Sequence, residues 1–219
     1  MEIEKIKKVI LEKQSKYIYL SKVFIVPKYP LIKGVVIMKK PKNFIKYLIG
    51  LVTVIFLRIV PHPPNVEPIM ATMMPFAKRW GKLAGLFFTL LAILSFDLIT
   101  GTLGVWSIMT AGTYALLGIA AGFYFKNKEN KVKYYIGFSV VGTLIYDAVT
   151  GIGTGMLFFK QSFMLTFMGQ IPFTLYHLAG NIAFAAIVSP LLYKWVLDNP
   201  HLETQPVLDK VKSLFVSAD

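Results

Sequence analysis

The chain has 219 residues, of which 55% are hydrophobic and only 16% are charged, and its mean hydropathy is +0.60. A soluble domain carries about 25% charged residues, so this composition argues against a water-soluble globular protein and predicts a membrane protein. The chain contains no cysteine, which excludes disulfides, thiolate metal sites and a cysteine nucleophile. The formal net charge is +13, and the position of that charge along the chain decides what it means.

Residues 1–40 form a basic segment that we expect to be a cytoplasmic extension. They do not resemble a signal peptide, because they are rich in lysine and no apolar core precedes a small-residue cleavage site. Residues 3–13, IEKIKKVILEK, have the pattern of a basic amphipathic helix on the inner leaflet. An alternative is that Met38 is the true start, since MKKPKNFIKYLIG is typical of the beginning of a membrane protein with basic residues inside.

Six apolar segments follow, and they predict an all-α membrane domain of six helices over residues 41–198. The segments are Phe44–Val60, Pro68–Ala77, Leu83–Thr100, Val105–Phe125, Tyr134–Thr150 and Ile171–Leu197. A straight spanning helix needs about 20 residues. The second segment is shorter and contains Pro75, so we expect it to be tilted, broken or partly outside the hydrocarbon. Residues 199–219 are predicted to be a cytoplasmic tail with a short surface helix.

Basic residues predict the direction of these segments. All of the 24 Lys and Arg residues except Arg58 and Lys160 fall in the two terminal segments, at the terminal ends of the first and last apolar segments, or in alternate connections between the apolar segments. Cytoplasmic loops accumulate Lys and Arg, so we predict a multi-pass protein of the cytoplasmic membrane with both termini inside. The same placement excludes nucleic acid as the partner of the basic charge and leaves the lipid bilayer.

Polar residues of several segments are predicted to gather near the outer side of the membrane. The candidates for binding a small molecule are Asn65, Glu67, Asp97, Trp106, Tyr146, Asp147, His177 and Asn181. A buried charge within a membrane is costly and usually faces a cavity or a partner. We expect the proline-rich connection PHPPNVEP to hold Asn65 and Glu67 as part of a lid over a pocket. His177 and Asn181 are four residues apart and therefore share a helix face.

Each of these residues also has a structural interpretation. Arg58 is expected to form an ion pair with either Asp97 or Glu67. Asp97 and Asp147 would then cap helix ends, His177 would be a packing residue bonded to a neighbouring helix, and Trp106 would be an interfacial anchor.

Small residues recur along the fourth apolar segment, at Ala111, Ala115, Gly118 and Gly122. Small residues at every fourth position allow helices to approach closely in lipid. The stripe predicts either packing within the monomer or docking of another membrane subunit. No motif for a metal, a cofactor or catalysis is present, and we expect the protein not to be an enzyme.

Three stretches together resemble the substrate-capture (S) component of energy-coupling-factor transporters, in particular small members with R-x-x-PHPPN-x-x-P-I after the first span. That motif runs here from Arg58 to Ile69, and the others are FDLITGTLGVWSIMTAGTYALLGIAAGFYF and PFTLYHLAGNIAFAAIVSPLL. The resemblance covers approximately residues 41–197. It implies a six-helix fold that captures a vitamin or vitamin precursor from outside, with a transmembrane coupling protein and two cytoplasmic ATPases as partners.

One feature departs from that family's pattern. Many S components carry Ala-x-x-x-Ala in the first helix for the coupling protein, whereas here only Gly50 is small at a comparable place. We therefore expect the chain to work either alone or with a variant coupling partner. As a function, a scaffolding membrane protein of six spans is an alternative. An intramembrane enzyme that uses His177 with Asp147 or Asp97 is a further one, without a supporting motif.

Overall fold

The computed structural model describes residues 31–32, 35–36, 42–61, 63 and 65–216. The chain divides into two compact units, Met1–Pro41 and Lys42–Asp219. In the first unit, the two-residue strands β1 (Leu31–Ile32) and β2 (Val35–Val36) pair antiparallel. The predicted amphipathic helix at residues 3–13 and the candidate start at Met38 lie outside the described residues.

The second unit is helical throughout its described part, so the predicted all-α class is confirmed for this unit. Its helices are α1 (Phe44–Ile59), α2 (Ile69–Trp80), α3 (Lys82–Thr100), α4 (Val105–Phe125), α5 (Val132–Asp147), α6 (Thr154–Leu157), α7 (Phe163–Leu192) and α8 (Thr204–Val216). A π-helical turn, Ala148–Gly153, joins α5 to α6, and a second, Tyr193–Leu197, extends α7. A short 3₁₀ turn, Pro200–Leu202, precedes α8.

Four helical stretches of the described chain are long and apolar enough to cross a membrane. They are Lys82–Thr100, Val105–Phe125, Val132–Leu157 and Phe163–Leu197. By contrast, α1 has 16 residues and α2 has 12, fewer than the about 20 that a full span needs. The chain therefore has the helices of a multi-pass membrane protein, while the count of six spans stays a prediction.

Helix α2 is the centre of the bundle rather than a lipid-facing span. Every residue from Ile69 to Ala77 is buried, and the helix contacts α1, α3, α4, α5 and α7. Pro75 has no N–H and so frees the carbonyl of Ala71 one turn earlier. The hydroxyl of Ser189 in α7 donates to that carbonyl at 2.7 Å. Neighbouring protein therefore satisfies the interrupted backbone, as a membrane interior requires.

The small-residue stripe of α4 packs inside the monomer. A Cβ on Gly118 would lie 2.5 Å from the backbone of Gly85 in α3, and one on Gly122 would lie 2.3 Å from the backbone of Lys82. Ala111 and Ala115 are buried as well. Gly50 in α1 is covered by the ring of Phe76 in the same way. Of the two uses predicted for these residues, the contacts are those of packing between neighbouring helices.

Basic side chains gather at one end of the bundle. Lys46 donates to the carbonyl of Leu197 at 2.8 Å, and Lys78 donates to the carbonyl of Lys128. Arg79 and Lys42 pair with Asp198 and Glu203 at 3.6 and 3.2 Å. In the loop between α4 and α5, the Lys131 ammonium hydrogen-bonds the Glu129 carboxylate and lowers its pKa. The start of α1 and the ends of α2, α4 and α7 therefore lie on the same side.

Candidate functional site

A carboxylate and an imidazole meet between α5 and α7. Asp147 is the last residue of α5 and His177 lies near the middle of α7. Their Oδ1 and Nδ1 atoms are 2.7 Å apart, and each side chain is only 2% exposed. The rings of Tyr146 and Phe173 stand edge-on to the imidazole, with centroids at 5.5 and 6.0 Å. When Asp147 is ionised, the proton of this hydrogen bond belongs to Nδ1, which leaves Nε2 of His177 for another contact.

A second polar pair lies one helical turn beyond the first. The Nδ2 of Asn181 donates to the hydroxyl of Thr143 at 2.8 Å, and both side chains are buried. Thr143 and Asp147 are four residues apart on α5, and His177 and Asn181 are four apart on α7. Because the two helices pack antiparallel, this equal spacing aligns the pairs one above the other.

The connection between α1 and α2 packs into the bundle beside these pairs. A Cβ on Gly180 would lie 2.7 Å from a Cγ of Val66, so the connection touches α7 at the level of His177 and Asn181. The Glu67 carboxylate lies 3.2 Å from the Nε of Arg58, whose guanidinium stacks on Phe96 at 3.7 Å. The described part of the connection thus packs beside the cluster, and its role as an outer lid stays a prediction.

Asn65 is the other predicted site residue in that connection. It adopts a left-handed backbone with a φ of 67°. Asparagine tolerates this conformation better than most residues. Asn65 immediately precedes Val66 and Glu67, and its backbone turns the chain toward α2.

Several buried polar atoms of this region have no hydrogen-bond partner in the described part of the chain. They are Nη1 of Arg58, Oε2 of Glu67, Oδ2 of Asp147, Nε2 of His177, Oδ1 of Asn181 and the hydroxyls of Tyr114 and Ser139. The Arg58–Glu67 contact is an ion pair without hydrogen-bonding geometry, which is why Oε2 is in this set. Leaving a buried polar group unpaired costs about 1–3 kcal/mol. This cluster of seven residues, the polar cluster below, is the candidate site.

Two predicted residues, Asp97 and Trp106, lie apart from the cluster. Asp97 is partly exposed near the end of α3, where its carbonyl accepts the N–H of Thr102 at 2.9 Å. Arg58 pairs with Glu67, so the alternative pairing with Asp97 is wrong for this structure. Trp106 is 50% exposed and stacks on Phe159 with centroids 5.9 Å apart. Tyr176 is exposed on the outer surface of α7.

The structure adds residues that sequence reasoning missed. The ring of Tyr114 packs against that of Tyr146 with centroids 4.4 Å apart, and Ser139 lies one turn before Thr143 on α5. A pocket of about 500 Å³ also opens between the π-turn, α6 and the first turns of α7. Its polar lining residues are Thr150, Thr154, Gln161, Thr166 and Gln170. These neutral side chains gave no charge signal in the sequence, although Thr150 and Thr154, and likewise Thr166 and Gln170, are four residues apart.

The described residues contain no group of three or more His, Asp or Glu side chains placed to hold a metal ion.

Comparison with known proteins identifies the family but no activity. A family model described as a family of unknown function, DUF6580, matches residues 38–197. The match covers more than half of the chain, so the chain belongs to this family. No curated protein and no solved structure matches the chain.

Proposed function

We propose that this member of the DUF6580 family captures a small polar molecule inside its helix bundle, as the substrate-binding subunit of an uptake transporter. The observation that carries the proposal is the polar cluster between α5, α7 and the α1–α2 connection. Each unpaired atom there weakens folding by about 1–3 kcal/mol unless another molecule bonds to it. A bound molecule that satisfies several of them at once would recover that free energy.

The proposed direction of capture is from the outside. The basic end of the bundle is the cytoplasmic end in this proposal, because positive residues remain inside. The pocket and the Asp147 end of α5 lie at the opposite end of that helix. Both termini are then cytoplasmic, and the protein belongs to the cytoplasmic membrane.

The resemblance to energy-coupling-factor S components extends the proposal to the energy source. The chain has no nucleotide-binding motif, so a transmembrane coupling protein and two cytoplasmic ATPases would supply the free energy for transport. Gly50 faces Phe76 within the monomer. Contact with a coupling protein would therefore use the exposed side of α1, which carries Leu48, Val52 and Phe56.

A scaffolding protein is the second candidate, and one observation favours it. Asp147, Glu67 and Asn181 each have a partner from another element, at 2.7, 3.2 and 2.8 Å. Such pairing partly neutralises the cluster without a ligand. However, every one of these pairs leaves at least one buried atom without a partner among the described residues, which a purely structural cluster has no reason to keep.

Native mass spectrometry of the full chain, purified in mild detergent, tests the proposal. We expect wild type to carry a small bound species, and Asp147→Ala and His177→Ala to lose it while remaining folded. Asp97→Ala is the matched control, because Asp97 lies outside the cluster, and it should retain the species. Equal occupancy in wild type and both cluster variants, or no bound species in any sample, would overturn the proposal.

A further inference from the structure

Two facing stripes of polar side chains connect the outer pocket with the polar cluster. On α5 and its continuation the stripe consists of Ser139, Thr143, Asp147, Thr150 and Thr154, and on α7 of Thr166, Gln170, Thr174, His177 and Asn181. Each stripe advances by four, four, three and four residues, which keeps its members on one helix face. The stripes meet at Asp147–His177 and at Thr143–Asn181. At about 1.5 Å per residue, they extend for roughly 20 Å.

The pocket lies at the outer end of these stripes. Thr150 and Thr154 line it from one helix, and Thr166 and Gln170 line it from the other. The π-helical turn at Ala148–Gly153 begins directly after Asp147. π-helical turns are frequent at functional sites because they re-aim the side chains that follow. The pocket and the Asp147–His177 pair are thus consecutive features of the same two helices.

One side chain, Gln170, lies between the pocket and the buried pair. It covers Gly151 so closely that a Cβ there would be 2.0 Å from its Oε1, and its Nε2 is 3.5 Å from the hydroxyl of Thr174. Thr174 precedes His177 by three residues. A glutamine held by one long hydrogen bond can change rotamer, so Gln170 is the candidate closure of the route.

The stripes end at Ser139 on the inner side. Its hydroxyl is fully buried and unpaired in the described part of the chain. Beyond it toward the basic end lie the buried aromatic and aliphatic side chains of Tyr135, Phe138 and Leu192. An apolar layer of this kind does not solvate an ion or a polar molecule. The stripes are therefore open at the pocket and closed toward the cytoplasmic side.

Charge along the stripes favours a cation. Asp147 is their only carboxylate, and the pocket is lined by neutral side chains. Two other charged residues of the cluster, Arg58 and Glu67, form an ion pair at 3.2 Å and so neutralise each other. Oδ2 of Asp147 and Oδ1 of Asn181, both unpaired in the described region, accept hydrogen bonds and cannot donate them. An ammonium group with several N–H donors matches such acceptors.

We infer that the facing stripes are an entry path for small organic cations, which pass from the outer pocket along α5 and α7 to Asp147. This inference rests on the proposed capture function and adds the route and the substrate class. It explains why neutral threonines lead to a single buried carboxylate. The threonines solvate the cation along the route, and the carboxylate binds it. Gln170 closes the route when it is empty.

Because the chain contains no cysteine, single cysteines report access without background. The full chain in sealed proteoliposomes would carry Thr154→Cys, Thr150→Cys, Thr143→Cys or Ser139→Cys. The probes are a trimethylammonium-ethyl and a sulfonato-ethyl methanethiosulfonate, applied at the pocket end. Val141→Cys on the exposed apolar face of α5 is the matched control. Labelling after unfolding and the gel-filtration profile establish that each variant is present and folded.

We expect Thr154→Cys to react with both reagents and Thr150→Cys and Thr143→Cys to prefer the cationic one by roughly tenfold or more, as an acidic cleft focuses cations. Adding Asp147→Asn should abolish that preference, and adding Gln170→Ala should speed labelling at Thr143→Cys. Ser139→Cys and Val141→Cys should stay unlabelled.

Three results would overturn the inference. In the first, Thr154→Cys is labelled but Thr150→Cys and Thr143→Cys are not. In the second, each variant reacts at the same rate with the cationic and the anionic reagent. In the third, Ser139→Cys is labelled as fast as Thr150→Cys. If labelling fails while the bound species still depends on Asp147, the route is wrong and capture stands. If that dependence is also missing, the proposed function falls as well.

Discussion

Replacing Asp147 and His177 together should cost far less stability than the two single replacements suggest. Asp147→Leu leaves the Nδ1–H of a buried imidazole without its acceptor, which costs about 1–3 kcal/mol. His177→Phe leaves a carboxylate that is only 2% exposed without its partner, which costs about 3–5 kcal/mol. The double variant has no polar group left to desolvate. Replacing a buried pair by apolar groups of similar volume is often neutral or stabilising by about 1–4 kcal/mol.

The assay is a thermal melt in detergent, read by intrinsic fluorescence. For a chain of this size 1 kcal/mol corresponds to about 2–4 °C in Tm, so His177→Phe should melt roughly 6–20 °C below wild type. The double variant should melt at the wild-type temperature or above it, and yet carry no bound species. Asp97→Leu, outside the cluster, should stay within about 0.5 kcal/mol of wild type. A double variant whose loss equals the sum of the two single losses would refute the reasoning.

Three further predictions concern packing and the two ends of the bundle. Gly118→Ala should lower the free energy of unfolding by about 1–3 kcal/mol, because its Cβ would meet the α3 backbone. Gly112→Ala on the same helix has open space around the new Cβ and should raise the free energy of unfolding by about 1 kcal/mol. Equal melting temperatures of the two variants would contradict this prediction. Lys46→Met removes the donor to the carbonyl at the end of α7; amide hydrogen exchange there should accelerate, and unchanged protection would argue against the contact. Arg58→Gln should lower Tm by leaving the Glu67 carboxylate without its cation, and adding Glu67→Gln should restore part of the loss; no rescue would exclude the pair.

Hydropathy placed the first five helices closely and missed the start of the longest one. Apolar runs predicted the bounds of α1 to α5 to within three residues, because each of these helices is apolar along most of its length. The start of α7 was placed at Ile171, whereas the helix begins at Phe163 after Ser162, whose hydroxyl caps it by accepting from the N–H of Leu165. Gly169 and Gln170 interrupt the apolar run, and hydropathy alone cannot show that they face a pocket.

The sequence predicted how far along each helix the candidate site residues lie. It did not predict which way their side chains point around the helix axes. His177 and Asn181 share a face by their spacing, and that part of the prediction follows from helix geometry alone. Asp97 was grouped with them because its depth is similar, yet α3 presents it elsewhere. Pairing Asp147 with His177 requires the register of α5 against α7, which no local pattern contains. The hydroxyls of Thr143 and Ser139 carry no charge and gave no warning of their burial.

The treatment of polar groups differs within the bundle, and that difference supports a ligand. Where Pro75 frees a carbonyl in α2, Ser189 reaches it from α7 at 2.7 Å. The fold therefore supplies a donor to the carbonyl that its own proline leaves without a helical partner. Twelve residues earlier on α7, His177 keeps Nε2 unpaired in the described part of the chain, and the partner carboxylate of Asp147 keeps Oδ2 unpaired. A bundle that satisfies one buried acceptor, and about three helical turns away leaves others without a partner in the described part of the chain, favours a site where a bound molecule completes the hydrogen bonds.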